Sequence, residues 1–575
     1  MQDDVLIEVS PFQIGLTAVP VLGMAVISWL LDLGLESSIL VGVVRAFVQL
    51  TILSIILNPI FEWGESLFWV VLLYVFFMVI LASFESANRS TYYFDGMFWY
   101  VAGILSVNVL WVSMFAFVVI LQPTPLWDPQ YVIPIVGMLL GNCINGISLS
   151  LNAMTTSLVE SSREIELLLS FGATSYEATF RLLKEAARTG TMPQLNGMAI
   201  IGLISIPGMM TGQILGGSTV LDAARYQILI IYWIAACSFG TIFSQLFFVL
   251  RICFDHQMVL QTDRLKKRDV KPNAIDMVKR LCRIIANTFS GKSGWSHRRR
   301  ISSCSLPPFS YESIGLLPKG QLSVLISPSH NSRQDQVSFV VSNLCYSFEN
   351  NYVDVNSKDS MQILNELDSP GPVRRTLFQD LSFTLTSGGS AIIQGPSGSG
   401  KSTLLRILAG LVSHQEGTIH LIGHNKNLDI AEWRRKILYV PQTKVDIPGT
   451  PLDLVKKISS FSVRRHFLSD VPRDRELKDA MVQLVSSWGL NTSLLDADWK
   501  TLSGGESQKM LLAIALASRP KVILLDESTS AMDPRSKIQI ERSVQEQCAK
   551  FGMSAIWVTH DEGQTERIHK VGQNV

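Results

Sequence analysis

Seven apolar stretches in the first 250 residues limit what this chain can fold into. They cover approximately residues 13–31, 38–57, 67–84, 97–121, 131–151, 195–215 and 227–250. A helix needs about 20 residues to cross a bilayer, and a segment in lipid must satisfy its own backbone hydrogen bonds. We therefore predict an α-helical polytopic membrane domain with seven spans. The fifth stretch, rich in Gly and Asn, and the sixth, with Pro207, are the weakest, and a re-entrant segment is the alternative there.

The distribution of basic residues predicts how these spans are oriented. The loops at 58–66 and 122–130 have no basic residue, and the segment after residue 250 is rich in Lys and Arg. The loop at 152–194 contains Arg163, Arg181, Lys184 and Arg188. Basic loops stay in the cytoplasm. An odd number of spans then places the N-terminus outside or in a lumen and the C-terminal part in the cytoplasm, at the plasma membrane or an endomembrane.

Composition agrees with a membrane protein of several domains. Average domains contain about 100 to 200 residues, and this chain has 575. Its mean hydropathy of +0.28 and 47% hydrophobic content are high for a soluble chain. The net charge of +1 favours no class of partner, and we predict no nucleic-acid partner. None of the seven cysteines has Cys-x-x-Cys spacing, which predicts reduced thiols rather than disulfides or a zinc site.

A glycine-rich segment in the last third of the chain fits the pattern G-x-x-x-x-G-K-[ST]. Its glycines let successive backbone N–H groups surround phosphates, Lys401 reaches the β/γ-phosphates, and Ser402 ligates Mg²⁺. By itself this pattern indicates only a nucleotide. The predicted nucleotide-binding residues of the segment are Gly395, Pro396, Ser397, Gly398, Ser399, Gly400, Lys401, Ser402 and Thr403.

A pair of acidic residues follows the apolar run Val522-Ile-Leu-Leu525. Such a run is typical of a buried strand, which here delivers two carboxylates to a phosphate site. Asp526 is predicted to hold Mg²⁺, and Glu527 to polarise the attacking water.

Further motifs give this region a family resemblance. Leu502-Ser-Gly-Gly-Glu506 resembles the signature of ATP-binding-cassette (ABC) ATPases. Tyr439-Val-Pro-Gln442 is similar to the Q-loop, Ser530-Ala-Met-Asp533 to the D-loop, and Val558-Thr-His560 to the switch histidine that contacts the γ-phosphate. Phe348 resembles the aromatic residue that stacks on adenine, with Tyr346 as the alternative.

The resemblance implies an α/β P-loop ATPase domain with a helical subdomain between Gln442 and Leu502. It implies catalytic roles for Gln442, Glu527 and His560, and Mg²⁺ ligation by Ser402, Gln442 and Asp526. In this family the signature serine and glycines contact the γ-phosphate that the opposite cassette binds. A homodimer with two ATP molecules at its interface is therefore implied, with nucleotide contacts from Ser503, Gly504, Gly505 and Asp533.

The loop between the fifth and sixth stretches has helical periodicity on both sides of a glycine. Apolar residues recur at Ile165, Leu168 and Leu169, then at Phe180 and Leu183, and Gly172 separates the two runs. We predict two short helices joined at Gly172. The spacing from Glu166 to Gly172 resembles the EAA-type coupling motif of ABC permeases, whose helix docks near the Q-loop. An ordinary amphipathic surface helix is the alternative.

Five segments of the membrane part carry a second resemblance. They are Arg45-Ala-Phe-Val-Gln-Leu50, Ile133-Pro-Ile-Val-Gly-Met-Leu-Leu-Gly-Asn142, Leu169-Ser-Phe-Gly-Ala-Thr174, Ser205-Ile-Pro-Gly-Met-Met-Thr-Gly212 and Arg225-Tyr-Gln-Ile228. Together they resemble the FetB-type permease family, and the cassette is similar to its partner, FetA. The resemblance implies export of a metal ion such as iron; relatives in plants are associated with aluminium tolerance and UDP-glucose transport.

Residues within the spans indicate a pathway but do not name a cargo. Asn142, Asn145 and Gln213 are costly in lipid and are expected to face the bundle interior or a cavity. Arg45 lies about two turns from the cytoplasmic end of its span and is able to snorkel. Soft donors for a metal contact occur at Met138, Cys143, Met209 and Met210, although methionine in a span is more often packing.

We predict a membrane domain at 1–255, a basic cytoplasmic linker at 256–337 and an ABC cassette at 338–575 with a polar insertion at 349–372. In the linker, 275–289 has an amphipathic period that suits either anionic headgroups or a solvated helix. The predicted function is that of an ATP-driven half-transporter in the bilayer, with a metal ion as cargo. A nucleotide-sugar exporter and a regulatory ATP-driven complex that transports nothing are the alternatives.

Overall fold

The computed structural model describes residues 10–64, 67–268, 322–327, 337–350, 373–422, 428–444, 447–465 and 474–571. Its described residues divide into two compact units. The transmembrane unit comprises described residues within Met1–Thr156, Leu183–Val249 and Lys266–Lys292. The cassette unit comprises those within Ser157–Leu182, Leu250–Leu265 and Ser293–Val575. The predicted domain limits at 255 and 337 stay predictions.

The described residues up to Cys253 are mainly helical. The helices are α1 (Pro11–Leu30), α2 (Glu36–Gly64), α3 (Phe68–Asn88), α4 (Met97–Met114, continued by a π-helical turn, Phe115–Leu121), α5 (Pro129–Glu160), α6 (Ser162–Ser170), α7 (Ser175–Ile200), α8 (Gly208–Leu215) and α9 (Val220–Cys253). Strand β1 (Tyr92–Tyr93) pairs antiparallel with β2 (Lys266–Lys267). These bounds confirm the predicted helical class of the membrane part.

Apolar composition and length mark most of these helices as membrane-crossing. Among the described residues, five helical segments are long and apolar enough to span: Glu36–Trp63, Phe68–Asn88, Met97–Leu121, Pro129–Glu160 and Val220–Cys253. They coincide with five of the predicted spans. A shorter apolar helix, Gly15–Leu30, coincides with the first. The fifth span, rich in Gly and Asn, is thus one continuous helix.

The predicted sixth span is not continuous. Helix α7 ends at Ile200, turns occupy 201–207, and α8 begins at Gly208 after an N-cap at Pro207. Gly202 has a φ of +83°, outside the right-handed helical region, and its N–H donates to Ser205 O at 3.0 Å, so the helix does not continue through this turn. Pro207, which has no N–H group to donate, is tolerated at the start of the next helix. The segment 195–215 therefore comprises two helices joined by a turn.

A mixed five-stranded sheet forms the centre of the cassette unit, in the order β3-β6-β10-β9-β8. The strands are β3 (Ser323–Ser327), β6 (Ser390–Gln394), β8 (Ile437–Val440), β9 (Val522–Asp526) and β10 (Ser554–Val558). Strand β3 is antiparallel to β6, and the remaining pairs are parallel. Every residue of β8, β9 and β10 is buried, as expected for parallel strands covered on both faces.

A second sheet and a set of helices complete the cassette unit. The second sheet is antiparallel, in the order β5-β4-β7, with β4 at Val337–Asn350, β5 at Val373–Thr386 and β7 at Glu416–Leu421. The helices are α10 (Lys401–Leu408), α11 (Ile430–Lys436), α12 (Pro451–Ser459), α13 (Ser462–Arg465), α14 (Asp474–Ser487), α15 (Gly504–Ala517), α16 (Pro534–Phe551) and α17 (Glu562–Val571). Helices α12 to α14 occupy the predicted helical subdomain between Gln442 and Leu502.

Parts of three predictions fall outside the described residues. They are the amphipathic stretch 275–289 of the linker, most of the polar insertion, and two of the seven cysteines, Cys282 and Cys304. The five cysteines within the described ranges are free thiols.

Candidate functional site

The glycine-rich segment forms the loop between β6 and α10. Gly398 and Gly400 have φ of +78° and +91°, a region that side chains disfavour, and Gly400 is the N-cap of α10. Lys401 Nζ donates to the carbonyl oxygens of Gly395 and Pro396 at 2.8 and 3.0 Å. The buried hydroxyl of Ser399, in the same loop, has no hydrogen-bond partner among the described residues. Backbone N–H groups at a helix N-terminus, a lysine and an unsatisfied hydroxyl are a set that fits phosphate oxygens.

The carboxyl ends of the parallel strands meet at one edge of the sheet. Strand β6 leads into the glycine-rich loop, β8 towards Gln442, β9 into Asp526 and Glu527, and β10 towards His560. In the register, Val558 lies opposite both Asp526 and Ile393. Open α/β sheets bind ligands at this edge. Residues from four separate motifs are therefore brought together by strand order.

Asp526 is buried between a hydroxyl and a phenol. Its Oδ1 accepts a hydrogen bond from Ser402 Oγ at 3.0 Å, and its Oδ2 accepts one from Tyr439 OH at 2.9 Å. Burial and the charge of Asp526 raise the pKa of Tyr439 above its usual range, so the phenol stays a donor. One oxygen of Asp526 therefore lies beside the Ser402 hydroxyl, which is the arrangement needed for both residues to bind the same Mg²⁺ ion.

Glu527 is held from two directions. Gln442 Nε2 donates to Glu527 Oε2 at 2.8 Å, and His560 Nε2 lies 3.1 Å from Oε1. Glu527 has a φ of +44°, and its N–H donates to Val558 O at 3.0 Å. A positive φ is uncommon for a residue with a side chain and is often found at functional sites. The structure thus joins all three predicted catalytic residues.

The signature residues lie at the start of α15. Ser503 is the N-cap: its hydroxyl donates to the Glu506 carboxylate at 2.7 Å and accepts from the Glu506 N–H at 3.3 Å. Gly504 is exposed. Gln508, on the next turn, donates to Gln442 O at 2.6 Å. The described side-chain contacts of Ser503 are thus local, and the predicted contact of the signature with ATP stays a prediction.

The structure gives the positions of two other residues that are predicted to contact the nucleotide, and their roles stay predictions. Asp533 is the N-cap of α16 and accepts from Ser536 N at 3.0 Å. Phe348 lies in β4 opposite Arg375, and its side chain is outside the described part. Tyr346, the alternative adenine-stacking residue, is stacked on Phe378 with ring centroids 6.0 Å apart.

The predicted coupling segment is docked within the cassette unit. Helix α6 contacts β8 and α11, and Ile165, Leu168 and Phe171 are each 0% exposed. Gly172 has a φ of +90°, and a Cβ built there would lie 2.9 Å from Ala431 O and 3.1 Å from Arg435 Cβ. Two helices joined at this glycine confirm the prediction, although the second, α7, is long. The exposed amphipathic helix is excluded.

Charged residues fix this segment to the cassette. Glu166 forms an ion pair with Arg406 of α10. Glu177 Oε1 accepts from Ser462 N at 2.7 Å. Burial opposes the charge of Arg406, but the hydrogen bond and the charge of Glu166 outweigh it and raise the pKa of the guanidinium. The coupling segment is therefore bonded directly to the helix that begins with Lys401.

Sequence reasoning missed several of these contacts. The sequence motifs assign no role to the hydroxyl of Tyr439, and they do not include Arg406 or Gln508. The signal that the sequence offers for Tyr439 is a phenol within a buried strand, because a buried hydroxyl needs a hydrogen-bond partner. No local pattern indicated Arg406, whose partner is 240 residues away.

The transmembrane unit contains a cluster of charged residues. Glu85 Oε1 accepts from Arg89 at 3.1 Å, and Glu85 Oε2 lies 3.7 Å from Arg45. Arg89 Nη1 also donates to Asn145 Oδ1 at 3.1 Å. Ionisable residues inside spans are costly and usually functional. Of the predicted polar positions, Asn145 thus joins a cluster, whereas Asn142 donates to its own helix at Met138 O.

Comparisons with known proteins cover both parts of the chain. The profile of the "Uncharacterised protein family (UPF0014)" matches residues 11–254, and that of "ABC transporter" matches 378–530. Protein ALUMINUM SENSITIVE 3 of Arabidopsis thaliana is 34% identical over 212 residues, 37% of this chain and 76% of that protein.

Two proteins of Escherichia coli (strain K12) match the two parts separately. Probable iron export permease protein FetB is 29% identical over 237 residues, 41% of this chain and 89% of FetB. Probable iron export ATP-binding protein FetA is 32% identical over 197 residues, 34% of this chain and 83% of FetA.

These matches and the geometry agree. The phosphate-binding loop and its acidic neighbours belong to a nucleotide-binding ATPase, and the apolar helices make the chain an integral membrane protein with a cytoplasmic ATPase. The chain therefore belongs to the UPF0014 family over its membrane part and to the ABC transporter ATPases over its cassette, as a fusion that couples ATP hydrolysis to transport.

Proposed function

We propose that the protein is an ATP-driven half-transporter that works as a homodimer and exports a metal ion, such as iron, from the cytosol. The relatives FetA and FetB, each named for probable iron export, support this cargo. The observation that carries the ATP-driven part is the ion pair between Glu166 of the coupling segment and Arg406 of the helix that begins with Lys401.

The ATP site follows from the residues at the sheet edge. Lys401 and the loop N–H groups would hold the phosphates of the substrate, ATP. Ser402, Asp526 and Gln442 would hold Mg²⁺, which neutralises charge on the β- and γ-phosphates when bound. Glu527 accepts hydrogen bonds readily and would orient the attacking water as a general base. His560 stands beside Glu527, where it would contact the γ-phosphate.

A homodimer would complete each site. The signature glycines are at the exposed start of α15, and the Ser503 hydroxyl is bonded to Glu506. A helix N-terminus with exposed N–H groups favours an anion. In the proposed dimer, Ser503, Gly504 and Gly505 of one chain would meet the γ-phosphate held by Lys401 of the other, with Asp533 nearby.

We propose that transport is outward from the cytosol, with the N-terminus outside or in a lumen and the cassette in the cytoplasm. Basic residues in the loop at 152–194 and after residue 250 support this orientation. ATP binding would close the two cassettes. The coupling segment, continuous in sequence with α5 and α7, would pass that movement to the membrane helices.

One structural observation favours the second candidate, a nucleotide-sugar exporter. The cluster of Arg45, Glu85 and Arg89 has two cations and one anion, and Asn145 extends it. An excess of guanidinium groups suits a phosphate-bearing cargo better than a bare cation, because arginine binds phosphate through paired N–H donors. Arg45 and Arg89 are therefore expected to contribute to binding of a nucleotide-sugar but not of a bare metal cation.

Proteoliposomes with the cassettes facing outward test the proposal. Uptake of labelled iron and of labelled UDP-glucose would be measured side by side, with Glu527→Gln protein as the inactive control. ATP-dependent iron uptake is expected. Uptake of UDP-glucose alone, lost on Arg89→Gln, would support the second candidate, and ATPase activity that no cargo changes would favour a regulatory complex.

A further inference from the structure

A short hairpin follows the last membrane helix in the sequence. Phe254 and Leu260 form an antiparallel bridge, and Asp255 N donates to Val259 O at 3.1 Å. At its tip Met258 N donates to Asp255 O at 2.8 Å, and Met258 has a φ of +51°. Phe254 and Val259 are buried. We refer to residues 254–260 as the post-span hairpin; it belongs to the cassette unit.

Arg434 of α11 bonds this hairpin to the cassette. Its Nη1 donates to Met258 O at 3.1 Å and its Nη2 to Gln257 O at 2.8 Å. The same guanidinium donates to Gly410 O, at 2.7 Å from Nη2 and 3.2 Å from Nε. Arg434 is 0% exposed. One side chain thus binds three carbonyl oxygens from two segments that are more than 150 residues apart in sequence.

The cassette segment that Arg434 reaches is the end of the phosphate-binding helix. Helix α10 begins at Lys401 and ends at Leu408, and Gly410 follows two residues later. Trp433, beside Arg434, donates through Nε1 to Leu408 O at 3.1 Å. The last carbonyl groups of a helix lack partners within it and carry partial negative charge. Trp433 binds one of these carbonyls, and Arg434 binds the backbone two residues beyond the helix.

Burial of Arg434 has an electrostatic cost. Removal from water lowers the pKa of Arg434 to about 10, which the charge of Asp429 partly opposes. All the hydrogen bonds named above go to backbone carbonyl oxygens. Five N–H donors in a planar fork allow arginine to bind several carbonyls at once, whereas lysine has a single ammonium. The geometry therefore depends on arginine rather than on positive charge alone.

Two segments of the cassette unit that adjoin membrane helices in the sequence consequently meet at α10. The coupling segment reaches α10 through Glu166 and Arg406, which lies in the last turn of that helix. The post-span hairpin reaches its C-terminal end through Arg434 and Gly410. Gly172 also lies against Ala431 and Arg435, so α11 is in contact with both segments.

We infer that the post-span hairpin is a second transmission element, and that Arg434 is the positioning residue that links it to the phosphate-binding helix. Movement of α10 when nucleotide binds is passed to Gln257 and Met258, next to the end of α9. This inference goes beyond the proposed cargo, because it holds for any transported species.

A matched pair of substitutions at Met258 tests the hairpin without altering the ATP site. Met258→Pro fixes φ near −65°, removes the N–H that bonds to Asp255, and so moves the carbonyl away from Arg434. Met258→Gly keeps the carbonyl and adopts a positive φ easily. Both full-length proteins would be reconstituted in bilayers and compared for ATP affinity and for transport per ATP hydrolysed.

We expect Met258→Pro to lower transport per ATP about tenfold, a typical size for coupling between sites, with ATP affinity unchanged and Met258→Gly like the parent. Arg434→Lys should have the same effect as Met258→Pro, because lysine lacks the planar set of N–H donors that binds the three carbonyl oxygens. Parental transport by Met258→Pro would overturn the inference.

Amide hydrogen exchange gives a readout that needs no cargo. In the parent carrying Glu527→Gln, addition of ATP should change exchange at residues 255–261, and Met258→Pro should abolish that change. Exchange in this segment that is indifferent to ATP in the parent would reject the second transmission element, whichever cargo is moved. Failure of the proposed cargo alone would leave the ATP-dependent exchange intact.

Discussion

Gln442 Nε2 lies 2.8 Å from Glu527 Oε2, which joins the end of β8 to the end of β9. Helix α6 of the coupling segment packs against β8 and α11, and the Gln442 carbonyl accepts from Gln508 in the second turn of the signature helix. A single residue therefore contacts the proposed general base and the signature helix. This relationship links the end of β9 to the signature helix through one side chain and its own carbonyl group.

The proposed general base is tested by Glu527→Gln. The amide keeps the size of the side chain but removes the carboxylate, so hydrolysis should fall by about 10² or more while ATP still binds. Lys401→Ala should instead weaken ATP binding, because the ammonium beside Gly395 is lost. Steady-state ATPase rates and nucleotide titrations distinguish the two. Near-normal turnover by Glu527→Gln would contradict the assignment.

Gly172→Leu tests the coupling turn. Any Cβ at this position approaches Ala431 O and Arg435 Cβ, and the φ of +90° strains every side chain. We expect ATP binding to persist and transport to be lost, with a smaller defect for Gly172→Ala. Gly197→Ala is the control, because no described residue lies within 4 Å of a Cβ built there. Equal transport by Gly172→Leu and parent would remove this turn from the mechanism.

A charge exchange tests the pair of Glu166 and Arg406. Glu166→Arg places two cations together next to the phosphate-binding helix and should lower transport per ATP by about fivefold or more. Arg406→Glu should do the same. Because the pair is in direct contact, the double variant should recover part of the loss. Strictly additive defects in the double-mutant cycle would show that the pair does not couple.

Complementation tests the proposed homodimer. Chains with Ser503→Arg and chains with Lys401→Ala should each be inactive alone, whereas mixing them creates one interface with an intact Lys401 facing an intact Ser503. ATPase activity should return in the mixture. Glu506→Ala is the control for loss of the helix cap, worth about 1 kcal/mol. Absence of recovery despite demonstrated mixed dimers would contradict sites shared between chains.

Arg464 tests the energetics of the helical subdomain. It is 7% exposed, and within the described part of the chain none of its three guanidinium nitrogens has a hydrogen-bond partner. Burial, followed by the charge of Arg435, lowers its pKa to about 9. A buried unpaired charge is costly, so Arg464→Met should stabilise the fold by on the order of 1 kcal/mol. Thermal unfolding with ATP absent measures it, and a lower melting temperature would be the opposing result.

Local sequence patterns determined many of the helices and strands of this protein and its phosphate-binding loop. Long apolar stretches can satisfy their backbone in lipid only as helices, and glycines at fixed spacing leave a backbone that surrounds phosphate. Five spans, the phosphate-binding loop and buried β9 were predictable for that reason. The sixth stretch was predictable only in part: Pro207 marked it as weak, but hydropathy carries no information on the turn that separates α7 from α8.

Tertiary structure alone decided which distant groups meet. Asp526 contacts Tyr439 because β8 pairs in parallel with β9. Glu166 contacts Arg406 because α6 packs on the cassette. The contact of Arg434 with Gln257 and Met258 is even harder to predict from the sequence, since its acceptors are backbone carbonyls that every residue type possesses. No side-chain pattern encodes such a bond; only the folded path of the chain brings the guanidinium and those carbonyls within reach.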